Sequence, residues 1–181
     1  MTERITAVLT RIALIALVLA TFGFARAQTA DPIEAIREHY AQINRSATSY
    51  KKVKKNLSGF STEGGELVAY FHGPSVMKMV ATFFGEMGKA TEEYFYWNGK
   101  LIFVLRTDRT YDKPLSGKVI KTAESRFYFN NDAMIRWLDE ASKQVASDTK
   151  EFQDKQNQYL KTSKQFSAGA GSAKPMIEEG P

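Results

Sequence analysis

Apolar residues near the start of the chain recur at Ile33, Ile36, Tyr40, Ile43, Ala47 and Tyr50, three and four positions apart, which marks one narrow helical stripe. Asp31-Pro32-Ile33-Glu34 supplies its beginning: an N-cap acceptor, a proline where no amide donor is needed, and an acid against the positive end of the dipole. Ser46, Thr48 and Ser49 lower helix propensity, so the helix is expected to end near Ser46, although Val53 and Leu57 continue the stripe and Gly59 is its latest stop.

From Glu66 the pattern changes to β-branched and aromatic runs broken by turn residues. Tyr94-Phe95-Tyr96-Trp97, Asn98-Gly99 and Leu101 to Leu105 predict a β-hairpin, because Asn-Gly tolerates the positive φ angles of the tight turn that matches strand twist. A second hairpin follows 33 positions later, Phe127 to Asn130 and Met134 to Leu138 around Asn131-Asp132, and a looser one precedes, Leu67 to Phe71 and Val76 to Phe84 around Gly73-Pro74. Hairpins in sequence predict an antiparallel meander of about six strands. A two-residue turn at Asn98-Gly99 pairs Trp97 with Lys100, Tyr96 with Leu101, Phe95 with Ile102 and Tyr94 with Phe103. Tyr94, Tyr96, Leu101 and Phe103 then share one face, and Phe95, Trp97, Ile102 and Val104 the other. Both faces are apolar, so both need a cover.

Leu138, Val145, Phe152, Tyr159 and Phe166 recur every seven residues, which predicts a C-terminal helix from about Ala141 to Gln165. Its stripe is one residue wide per two turns, and it is expected to be the weaker of the two helices, with its far end free to act as a docking arm. Residues 167–181 are small and polar and are expected to be disordered.

At the other end, Arg4 and Arg11, the uncharged run Ile12 to Ala25 and Ala25-Arg26-Ala27 read as an export signal over residues 1–27, cut before Gln28. Fourteen uncharged residues are fewer than the roughly 20 that a bilayer span needs, so no integral span is expected. The expected product is periplasmic or secreted, with one α+β domain over residues 28–166.

Composition adds exclusions. There are no cysteines, which removes disulfides, thiolate metal sites, cysteine nucleophiles and lipid-bearing cysteines. The net charge of +5 falls to +3 once Glu3, Arg4, Arg11 and Arg26 are removed, too little for a nucleic-acid binder. Lys51, Lys52, Lys54 and Lys55 form one basic run that could face an anionic surface, against the plainer reading of a solvated face beside Val53. His39 and His72 have no partner at metal-ligand spacing, so neither metal nor cofactor is expected. Gly59 to Gly64 misses the serine elbow by one position, and Gly169-Ala170-Gly171 lacks the strand and third glycine of a phosphate cradle. Glu92 and Glu93 are adjacent on a strand, so they point to opposite faces and cannot flank one bond. Most of the hairpin rings read as core; Trp97 and Lys100, beside the turn, are the candidate contact surface.

The segment Glu92-Glu93-Tyr94-Phe95-Tyr96-Trp97-Asn98-Gly99-Lys100-Leu101-Ile102-Phe103, with Arg126 to Asn131 and Ile135-Arg136-Trp137-Leu138, resembles an uncharacterised family of exported bacterial proteins with aromatic-rich hairpin repeats. The resemblance implies an envelope or secreted setting and transfers no catalytic residue. The expectations are therefore an α+β fold of N-terminal helix, about six-stranded antiparallel meander and C-terminal helix, and an exported non-catalytic module binding a protein or cell-envelope component. Two alternatives stand beside it: a carrier of an apolar small ligand between sheet and helix, and a small hydrolase whose acids converge in the fold.

Overall fold

The structure is a computed structural model that describes residues 31–180; the expected export signal lies outside the described residues. Asp31 Oδ1 accepts from the Ile33 amide at 2.9 Å and starts helix α1 (Pro32–Ser46) as the capping pattern requires. A single 3₁₀ turn, Ala47–Ser49, follows. The chain then enters β1 (Lys51–Ser58), β2 (Gly65–His72), β3 (Ser75–Gly85), β4 (Gly88–Trp97), β5 (Lys100–Tyr111), β6 (Val119–Asn130) and β7 (Ala133–Leu138), then helix α2 (Lys150–Gly171) and β8 (Met176–Glu178).

The fold is α+β, with eight strands rather than six. Strands β1 to β7 form an antiparallel meander in chain order, and β8 adds itself parallel to β1 at the edge. The two extra strands occupy segments read otherwise. Helix α1 ends at Ser46 as expected, the lysine run that follows is strand β1, and residues 167–180, expected to lack structure, complete α2 and supply β8. Burial holds β8 in place: Ile177 is buried against Gly169, where any Cβ would collide with the isoleucine side chain.

Both faces of the sheet are covered. On one side α2 lays Phe152, Tyr159, Ser163, Phe166 and Ala170 onto Leu67, Met79, Tyr94, Val104 and Phe127. On the other, α1 buries Ile36 and Ile43 against Phe95, Ile102, Phe103 and Tyr128. Helix α2 is thus not the weaker cover. Tyr159 and Phe166 are 1% and 0% exposed, so the far end is core and no docking arm. One aromatic ring buries more area than one isoleucine, and small Ser163 and Ala170 let the helix settle close to the sheet.

The hairpin register departs from the expected one by a residue. Trp97 faces Lys100 and Tyr96 faces Leu101, but Phe95 then faces Phe103 and Tyr94 faces Val104, leaving Ile102 as a bulge. The same step recurs in the other hairpins, where Met77 and Ile135 are the extra residues. The three bulges lie at one end of the sheet, and the one at Ile102 moves Phe103 onto the α1 face and Val104 onto the α2 face. The turn itself is as expected: Asn98 and Gly99 have φ of +50° and +74°. A Cβ on Gly99 would touch nothing within 4 Å. Gly99→Val should therefore act through backbone strain alone, lowering stability by about 1 to 3 kcal/mol in urea unfolding; an unchanged midpoint would show that the turn tolerates the side chain.

Candidate functional site

At the end of the sheet opposite those three hairpins, the space between α2 and strands β3 to β5 opens into a cavity of about 970 Å³. That size lies in the range of small-molecule sites. Its apolar wall is Phe60, Phe83, Phe84, Met87 and Ala90. The facing wall comes from the polar side of α2, with Asn157, Gln158, Thr162 and Gln165.

The floor is a charged cluster. Glu92 and Arg106 face each other across β4 and β5, and Asp108 stands two residues further along β5 on the same face. Arg106 Nη1 donates to Glu92 Oε1 at 2.8 Å, while Nε and Nη2 grip Asp108 Oδ2 and Oδ1 at 2.8 and 2.7 Å. Three of the five guanidinium N–H groups are thereby engaged, and two remain for another acceptor. Glu92 is only 4% exposed and accepts further bonds from the hydroxyls of Tyr94 and Tyr159. The carboxylates in turn hold Arg106 protonated, its pKa raised against the opposing effect of burial. Burial, with the Glu92 charge second, pushes the Tyr94 and Tyr159 phenols well above their ordinary range. Tyr96, whose hydroxyl lies 2.8 Å from Ser163 Oγ, is raised by burial too.

Both acids sit in charge-assisted bonds to one guanidinium, an arrangement that fixes Arg106 in place. The Ser163 hydroxyl is bonded to a tyrosine, not to a base. Glu93 points to the other face, where it pairs with Lys78. Among the described residues no group of three or more His, Asp or Glu is placed to hold a metal ion.

The residues singled out in the sequence lie elsewhere. Trp97 stacks on His39 of α1, centroids 3.8 Å apart and 13° from parallel. Lys100 is exposed and reaches Asp132 and Asn131 at 3.4 Å. The lysine run alternates along β1, so it cannot present one basic face. Lys51 is exposed, Lys52 lies 5.4 Å over the Tyr70 ring, and Lys54 pairs with Glu66 at 3.5 Å. Lys55 is buried and donates to the Ser172 and Lys174 carbonyls at 2.7 and 2.6 Å, a cation at the C-terminal end of α2. Strands β2 to β4 separate β1 from Lys100, so the two sets do not meet.

Nothing local in the sequence marks Glu92, Arg106 and Asp108 as a group. The available signal was Arg-x-Asp at strand period opposite an acid, and it needs the bulge at Ile102 to come into register. Comparison with known proteins adds no relative: no family model, curated protein or solved structure matches the chain.

Proposed function

We propose that the protein is an exported, non-catalytic binding module whose ligand is an amphipathic component of the cell envelope, held between α2 and the sheet. The observation that carries this reading is the two-sided cavity. An apolar wall of phenylalanines and Met87 suits an acyl chain, while Arg106 on the floor and the side-chain amides of α2 on the facing wall are offered to a head group. The charges around the cavity balance, Lys89, Arg106, Arg109 and Lys161 against Glu92, Asp108, Asp154 and Glu179, so the head is selected by hydrogen bonding more than by net charge. This joins the envelope-component and carrier expectations in one site. The export part rests on the sequence of residues 1–27.

The test is titration with a fluorescent lysophosphatidylcholine kept below its micelle concentration. Saturable binding is expected, and Ala90→Trp, which fills the cavity from β4, should weaken it about tenfold or more, equivalent to about 1.4 kcal/mol, with the melting temperature held. Absence of saturable binding by the wild-type protein would end this reading.

A further inference from the structure

We propose that the tip made by the β3–β4 turn and the β5–β6 loop, beside the cavity mouth, docks on the surface of an anionic lipid bilayer. Leu115 is 72% exposed and has φ of +55°, a left-handed conformation that is costly for a leucine and here returns no burial. Its amide donates to the Glu86 carbonyl at 2.8 Å, and the Tyr111 amide to the Met87 carbonyl at 2.8 Å, so the two loops are stitched into one tip. Around Leu115 the tip exposes Phe84, Met87, Val119 and Ile120. Ile120 is a bulge residue, skipped where Tyr111 faces Val119 and Thr110 faces Lys121, and is 63% exposed.

Charge complementarity names the occupant. Lys89 faces Phe84 and Arg109 faces Lys89 across the strands, Lys121 faces Thr110, and Lys113 and Lys118 lie in the β5–β6 loop; the acids within the two loops are Glu86 and Asp112, and Glu140 comes to Lys121. Lys118 reaches Asp112 at 3.1 Å and Lys121 reaches Glu140 at 3.7 Å, both lysines largely exposed, while Lys89, Arg109 and Lys113 make no ion pair among the described residues. Exposed apolar side chains at the tip, beside flexible cations, match the interface of an anionic membrane, where apolar groups insert and lysines meet head groups. A second copy would bring like charges together.

The experiment is vesicle flotation with the protein as purified from its native compartment, on phosphatidylcholine vesicles with and without phosphatidylglycerol. Binding is expected on the anionic vesicles and should fall as salt rises. Leu115→Gly relieves the left-handed strain, so it should keep or raise the melting temperature while weakening vesicle binding about tenfold. Lys113→Gln should weaken it about fivefold. The variants keep the same N terminus, so the differences read the tip alone. Ala90→Trp should leave flotation unchanged, which separates this inference from the ligand reading. Equal binding by Leu115→Gly and wild type, or no wild-type preference for anionic vesicles, would overturn the proposal.

Discussion

Raising the pH beyond about 10 should unfold this protein steeply. Tyr94, Tyr96 and Tyr159 are buried with raised pKa values, desolvation being the main cause in each and the Glu92 charge adding to it for Tyr94 and Tyr159. Below about pH 10, where an unfolded tyrosine titrates, the phenols are neutral in both states and their contribution to stability is fully present. Above it the unfolded chain releases three protons that the folded chain retains. Stability is then lost at about 1.4 kcal/mol per pH unit for each phenol, or about 4 kcal/mol per unit for the three. Against a typical total of about 5 to 15 kcal/mol, the fold should be gone near pH 12. Urea midpoints measured at rising pH give the slope, and Tyr96→Phe should cut it by about a third. If all eight tyrosines ionise together near their ordinary pKa while the protein stays folded, the burial argument is wrong.

The second large effect is expected at Arg106. Arg106→Met leaves Glu92 buried without its cation and frees Asp108, and breaking a buried pair costs about 3 to 5 kcal/mol. Since the Arg106 side chain is 34% exposed toward the cavity, the loss should be at the low end, about 3 kcal/mol. Adding Glu92→Gln should recover most of it, because the stranded charge is then gone. Urea unfolding at neutral pH measures all three proteins. A single variant as stable as wild type, or a double variant no better than the single, would show that the floor of the cavity is not an electrostatic unit.

The same pair explains why part of the structure was legible and part was not. Asn98-Gly99 announces its turn because few sequences tolerate two positive φ angles, and the 33-residue recurrence shows where the third hairpin lies. Register was legible for two pairs and then failed, since nothing local marks Ile102 as an extra residue. The mark is distant: without the bulge Glu92 would face Leu105, and with it Glu92 faces Arg106. Strand β1 was hidden for another reason. Val53 and Leu57 are four apart, an interval that fits one face of a helix and also one face of a strand, and Lys55 between them is buried with its charge met by the carbonyls of Ser172 and Lys174. For α2, counting apolar positions underestimated rings that bury large areas. The cavity joins loops, three strands and a helix far apart in sequence, so no window of the chain contained it.

The pairing of β8 with β1 has a kinetic consequence. Every other strand pair joins neighbours in the sequence, so the meander can zip from one end to the other with short loops to close. The β1 edge is completed by residues far along the chain, and Lys55 waits for an acceptor 119 positions away. Until then β1 presents open amides and carbonyls, the template on which chains aggregate, and its lysines protect it meanwhile by repelling a second β1. An edge that waits for so distant a segment is one where a run of like charges opposes pairing between chains.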